Sequence, residues 1–210
     1  MKTVIILLGL ILLCSFSLET RGVDYSERVS TKAAKCLVRA KYRFAIVRGF
    51  QSTNKVDPNV RANIQSAWAG GMRNVDVYMF PCVKCGNPKD QVSRLIKALG
   101  KLRYGMIWID IEILNWYKDF NANRKFILSL VSAFKPYKKR LGIYTNLHNW
   151  SKIVGIKWQG LKTYPLWYAH YDKLASFKDF KSFGGWKRPS IKQYVGDTKV
   201  CGVKVDLNFY

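Results

Sequence analysis

Apolar positions along this chain recur with two periods, and each period predicts a different element. Short β-rich stretches stand at residues 22–26, 42–50, 75–80, 106–113, 141–146, 166–171, 191–195 and 203–209, which predicts about eight strands. Between the early strands the period lengthens to that of a helix. Asp57-Pro58 has the cap-then-proline order of a helix start, and Gly70-Gly71 closes that helix. Asn87-Pro88 repeats the start ahead of Val92, Leu95, Ile96 and Leu99 on one face, with Gly100 as the stop. A third helix runs from about Asp119 to Phe134 and ends before Pro136. Strands and helices in alternation predict a parallel sheet. The last three strands are joined by short aromatic, glycine-bearing segments, and the chain has too few residues for eight full helices. The expected fold is α/β, an irregular TIM-like barrel of about five β/α units followed by three further strands. An open doubly wound sheet is the alternative; both put chemistry at the carboxyl ends of strands, but only a barrel joins the first strand to the last.

One apolar run has neither period. Met1-Lys2, the run Val4 to Leu13 and the small residues Ser15 and Ser17 follow the order of a secretory leader, so residues 1–20 are expected to be a signal peptide and residues 21–210 a single domain. The run is shorter than the ~20 apolar residues a membrane helix needs, and no later stretch approaches it, so no membrane span is expected. Cys36, Cys82, Cys85 and Cys201 remain beyond the leader, an even number in an oxidising compartment, which favours disulfides. Cys82-x-x-Cys85 also has zinc-site spacing, but no second close pair accompanies it. Asn149-Trp150-Ser151 has the form of a glycosylation sequon. The formal charge of +23 favours polyanionic partners. Lysines and arginines are spread along the chain and no nucleic-acid-binding motif is present, so a nucleic-acid partner is not expected.

The stretch from Tyr104 to Leu114 carries the candidate chemistry. At the strand period Ile107, Ile109, Ile111 and Ile113 point one way, while Met106, Trp108, Asp110 and Glu112 point the other. Ionised groups in such an apolar run need solvent or a function, because stripping them of water costs several kcal/mol. The all-isoleucine face reads as barrel wall against helices, which turns both acids toward the mouth. Asp24 in the first strand and Asp206 in the last sit at equivalent positions, and a closed barrel would make those strands neighbours. Clustered carboxylates without metal-binding histidines suit glycosidic bond cleavage, where one carboxyl stays protonated beside another that stays charged. No metal or cofactor is expected. His148 and His170, the two histidines, accompany no nucleophile motif and read as structural. Aromatic residues near strand ends, Tyr78, Tyr144, Trp167 and Tyr168 among them, offer stacking faces for sugars.

These segments, in this order, resemble the family 25 glycoside hydrolases: Gly22-Val23-Asp24-Tyr25-Ser26, Asp110-Ile111-Glu112, Leu141-Gly142-Ile143-Tyr144-Thr145, Leu166-Trp167-Tyr168-Ala169-His170-Tyr171, Gln193-Tyr194 and Val205-Asp206-Leu207-Asn208. Phe80-Pro81-Cys82-Val83-Lys84-Cys85 and Phe183-Gly184-Gly185-Trp186 look like the invertebrate and amoebal branch. The resemblance spans the domain and implies a lysozyme, an N-acetylmuramidase that cuts bacterial peptidoglycan. It implies Glu112 as proton donor, Asp110 as stabiliser of the acetamido group or ring charge, and Asp24 and Asp206 as residues that hold and tune the pair. Tyr78 takes the place of a tyrosine beneath the reacting sugar, and Tyr144, Trp167, Tyr168 and Gln193 are the other expected substrate contacts. Within such a barrel we expect Cys36 to pair with Cys201 across the closing seam and Cys82 with Cys85 across a tight loop. A monomer, secreted or held in lysosome- or phagosome-like vesicles, fits the same reading. Two other readings stand beside it: a chitinase-like hydrolase of N-acetylglucosamine polymers, and a non-catalytic cationic protein that binds bacterial surfaces.

Overall fold

The two periodicities become nine strands and five helices in the structure, a computed structural model that describes residues 19–210. The expected leader lies outside the described residues, apart from Glu19 and Thr20. Five strand–helix units come first: β1 (Arg21–Tyr25) with α1 (Thr31–Arg39), β2 (Phe44–Gln51) with α2 (Val60–Gly70), β4 (Asn74–Met79) with α3 (Pro88–Leu99), β5 (Ile107–Asp110) with α4 (Phe120–Phe134), and β6 (Leu141–Thr145) with α5 (Leu147–Ile153). The strands β7 (Leu166–Ala169), β8 (Ile191–Val200) and β9 (Val203–Phe209) follow without helices. The extra strand, β3 (Lys55–Val56), forms a short hairpin on β2.

The ring closes. In the order β1-β9-β8-β7-β6-β5-β4-β2 each strand pairs with the next, and β1 pairs with β2, so the eight strands make a barrel and the open-sheet alternative does not hold. All neighbours are parallel except β9, which runs antiparallel to both β8 and β1. Beyond β1, Thr20 and Tyr210 exchange backbone hydrogen bonds at 3.0 and 3.1 Å, which ties the two described ends together. No described helix is long and apolar enough to cross a membrane.

Local chemistry sets the boundaries. Asn87 and Asp119 cap α3 and α4 as their sequences predict, accepting from Lys89 N and from Asn121 N and Ala122 N. The helix expected from Asp57 starts instead at Val60, because the Asp57 carboxylate is engaged by Arg48 Nε at 2.6 Å, Gln51 Nε2 at 3.2 Å and Asn59 N at 2.8 Å. Gly71 (φ 95°) ends α2 in the left-handed region, where a side chain is strained. Two strands differ in extent from their pattern. The stretch 106–113 stops pairing as a strand at Asp110, and Ile113, expected on the wall, is 52% exposed. The stretch 191–195 continues to Val200 as one arm of the β8–β9 hairpin.

Alternation along each strand gives the barrel two cores. Outward side chains, with Ile107, Ile109 and Ile111 at the centre, pack against the helices. Inward ones, Phe44, Ile46, Trp108, Tyr144, Trp167, Ala169 and Ile191, fill the interior. The Trp167 ring lies 5.9 Å from Trp108 and 4.6 Å from Tyr144, and the Trp108 ring occupies the space that a Cβ at Gly142 would need. This aromatic layer closes the interior beneath the mouth and separates it from a pocket at the amino-terminal end that Asp76, Met106, Arg140 and Tyr210 help to line. Cys36 pairs with Cys201 and Cys82 with Cys85, the expected partners.

Candidate active site

Trp108 and Asp110 share the inward face of β5, and Glu112 follows just past the strand end. Two contacts continue the strand geometry through Ile111: its N donates to Tyr144 O at 2.9 Å, and its O accepts from Thr145 Oγ1 at 2.7 Å. Trp116 Nε1 donates to Glu112 O at 2.7 Å and fixes the start of the following loop. The carboxyls of Asp110 and Glu112 therefore enter one cleft at the barrel mouth, lined also by Asp24, Tyr78, Tyr144, Trp167, Tyr171, Gln193 and Asp206.

Antiparallel β9 supplies the other two acids. Because β1 and β9 pair with Asp24 opposite Asp206, two carboxylates meet that lie at the two ends of the sequence. Gln193 Nε2 on β8 donates to Asp24 Oδ1 at 2.8 Å and to Asp206 Oδ2 at 3.1 Å. Its Oε1 accepts from the hydroxyls of Tyr144 and Tyr171, each at 2.8 Å, so the amide orientation is fixed from both sides. Asn208 Nδ2 donates to Asp24 Oδ1 at 2.7 Å, and Asn208 Oδ1 accepts from Trp167 Nε1 at 2.8 Å. The backbone N of Asp197 donates to Asp206 Oδ1 at 2.6 Å.

Four acids in one cleft hold protons more tightly than usual. Burial, then Asp206, pushes Asp24 up to about 8, against the lowering effect of its amide donors. Burial, then Glu112 and Asp24, holds Asp110 well above the carboxylate range. Glu112 is raised by burial and by Asp206, and Asp206 is raised chiefly by burial. Two features set the central pair apart. Asp110 Oδ1 is buried with no hydrogen-bond partner, and the Glu112 carboxyl has none among the described residues. The supporting acids are satisfied by the protein, whereas the central pair has capacity left for a ligand.

Of the expected substrate contacts, Tyr78, Tyr144, Trp167 and Gln193 line this cleft, and Tyr168 does not. It follows Trp167 on β7, so alternation turns it to the helix side, where its hydroxyl donates to Asp179 at 3.1 Å. Sequence reasoning passed over Tyr171 and Asn208 as site residues. The period of two carries both: Tyr171 continues the inward series of Trp167 and Ala169, and Asn208 stands two residues from Asp206. Outside the cleft, His170, Asp172 and Asp179 lie close enough to share a cation. Both carboxylates there already hold the ammonium of Lys192, at 2.7 Å each.

Comparison with known proteins follows this geometry. A family model described as Lysozyme-like protein 1 matches residues 17–194. A probable GH family 25 lysozyme of Dictyostelium discoideum is 41% identical over 191 residues, covering 90% of this chain and 89% of its own. Lysozyme-like protein 5 of Caenorhabditis elegans is 38% identical over 207 residues, covering 95% and 96%. Among solved structures, a muramidase from Acremonium alcalophilum superposes with a TM-score of 0.74 at 18% identity, covering 91% of this chain and 93% of that one, which bears on the fold alone. With a closed barrel, four acids at its mouth and relatives matched over nearly their full lengths, the chain belongs to the family 25 glycoside hydrolases.

Proposed function

We propose that this protein is a lysozyme that hydrolyses the β-1,4 linkage between N-acetylmuramic acid and N-acetylglucosamine in bacterial peptidoglycan, with Glu112 as proton donor and Asp110 as stabiliser of the reacting sugar. The observation that carries the assignment of roles is the unsatisfied Asp110 Oδ1, buried at the cleft floor beside a raised Glu112. Burial and the neighbouring acids raise both Asp110 and Glu112, so the pair holds a proton that an isolated carboxyl would lose. An acetamido N–H donating to that oxygen would favour the charged carboxylate and leave the shared proton on Glu112, next to the leaving oxygen. Burial, and then the charge of Asp206 held by Gln193, keeps Glu112 protonated, while Asp24 is held by Gln193 and Asn208. Tyr78 and Trp167 give the sugar its apolar faces. The +23 charge suits a polyanionic wall. Four cysteines in two pairs support an oxidising compartment, reached by secretion or in lysosome- or phagosome-like vesicles.

The test is turnover of purified peptidoglycan with product analysis. Glu112→Gln keeps the shape and removes the transferable proton, so activity should fall ~100- to 10,000-fold with the fold intact. Asp110→Asn should be severely but less completely impaired. Near-normal activity of Glu112→Gln would remove it as the donor, and faster turnover of chitin oligomers than of wall would favour the chitinase-like reading.

A further inference from the structure

Acidic charge in this molecule is sorted along the barrel axis. Of the 13 acidic residues, only Glu19 and Asp76 lie toward the amino-terminal ends of the parallel strands; the rest stand at the cleft or in the loops and helix starts around it. The opposite pole is built from the segments that lead into the strands: 39–43, 71–73, 100–106, 135–140 and 187–190. They contain twelve lysines and arginines and no aspartate or glutamate, and most of these cations are exposed. None of the twelve makes an ion pair among the described residues. Asp76 does little to offset them. It is largely buried, and its oxygens are taken by Met106 N at 2.8 Å and Trp108 Nε1 at 2.9 Å. A ring of like charges without counter-charges costs stability through repulsion, which a polyanion would relieve.

We propose that this basic pole is a docking face for an anionic phosphodiester polymer of the bacterial wall, which would hold the enzyme while the cleft at the other pole stays free for the glycan. The proposal rests on the peptidoglycan reading above. Repeated phosphates match the repeated loop cations, whereas the cations around the mouth are interspersed with eleven acidic residues. A lipid surface fits less well, because the exposed Ile113, Leu114, Phe120 and Leu174 lie at the mouth, and the exposed large hydrophobics of the basic pole are the tyrosines Tyr137 and Tyr210.

The experiment compares two triple reversals of equal charge. Arg73→Glu/Lys101→Glu/Arg188→Glu alters the pole, and Lys32→Glu/Lys89→Glu/Lys125→Glu alters exposed positions on α1, α3 and α4 away from it. Binding is measured by co-sedimentation with walls that carry the phosphodiester polymer and with walls chemically stripped of it. The pole variant should bind polymer-bearing walls about tenfold more weakly than the unaltered protein, and stripped walls equally well, while the helix-face variant stays close to the unaltered protein on both. Equal loss in both variants would assign the effect to net charge and overturn the proposal, as would a pole variant that binds normally. Equal weakening on stripped walls would overturn it in favour of a glycan contact, and tighter binding to anionic vesicles than to polymer-bearing walls in favour of a lipid. Should the triple reversal not fold, Arg73→Ala/Arg188→Ala reads the same contrast at lower amplitude. Turnover of stripped walls is scored separately, so loss of the muramidase reading and loss of the docking face give different results.

Discussion

In the proposed mechanism Asp206 acts through its charge. It faces Glu112 across the cleft and, after burial, is what holds the Glu112 proton. Asp206→Asn keeps the contact with Gln193 Nε2 available through the amide oxygen and removes the charge. Glu112 then loses its proton at lower pH. Since the proposed donor must be protonated, the alkaline limb of the kcat/KM profile should move to lower pH, while KM for a short oligosaccharide stays close to its original value. A limb that does not move would separate Asp206 from the proton donor. Asp24 carries a related cost. Its folded value of about 8 lies above the ordinary carboxylate value of 3.8, so its contribution to stability is full below about pH 4 and is lost as pH rises through about 8. The supporting acids are thus maintained at the expense of stability near neutral pH.

The least regular element is the connection between β7 and β8, which runs over residues 170–190 without a helix. Lys192, on the outward face of β8, holds it. Its ammonium is fully buried and donates to Asp172, Asp179 and Ser176 O at 2.7, 2.7 and 2.9 Å, and His170 Nδ1 lies 2.6 Å from Asp179. Burial works against the two carboxylates, but the Lys192 hydrogen bonds keep both below their usual range. Their stabilisation is therefore present above about pH 4 and lost as pH falls through the lowered values. Lys192→Met would leave two neighbouring carboxylates without their cation. Breaking a buried pair from one side costs about 3–5 kcal/mol, and the partial exposure of both acids places the expected loss at the low end. Urea unfolding measures it. The variant should also lose much of its sensitivity to acid below pH 4; unchanged stability would make the network incidental.

At the scale of the whole molecule, closure depends on β9 reaching β1, and the Cys36–Cys201 bridge secures that seam across 165 residues. A cross-link over so long a loop restricts the unfolded chain strongly, so Cys36→Ser/Cys201→Ser should lower stability by about 2–5 kcal/mol. The bridge from Cys82 to Cys85 closes a loop of three residues and restricts little, so Cys82→Ser/Cys85→Ser should shift the denaturant midpoint much less. Equal shifts for the two pairs would show that the seam does not depend on its cross-link.

The sequence by itself determined the elements and the chemistry. Period-two stretches gave every barrel strand, the caps at Asn87 and Asp119 gave two helix starts, and the alternation through Trp108, Asp110 and Glu112 put two acids on one face, because these signals are local and survive in one dimension. Tertiary structure decided what depends on neighbours distant in the chain. Asp57 keeps a cap-like contact from Asn59 N while its other oxygen holds Arg48 and Gln51, and the regular helix begins at Val60. Tyr168 turned away from the cleft because alternation at the end of β7 gives the inward place to Trp167, and strand spacing alone does not fix which neighbour faces in. Twelve cations that look evenly spread in sequence stand together at one pole without counter-charge, because the segments that carry them each precede a parallel strand and parallel strands all begin at the same end. Asp24 and Asp206 meet for the same kind of reason: only β9, turning back antiparallel between β8 and β1, brings the two ends of the chain into register.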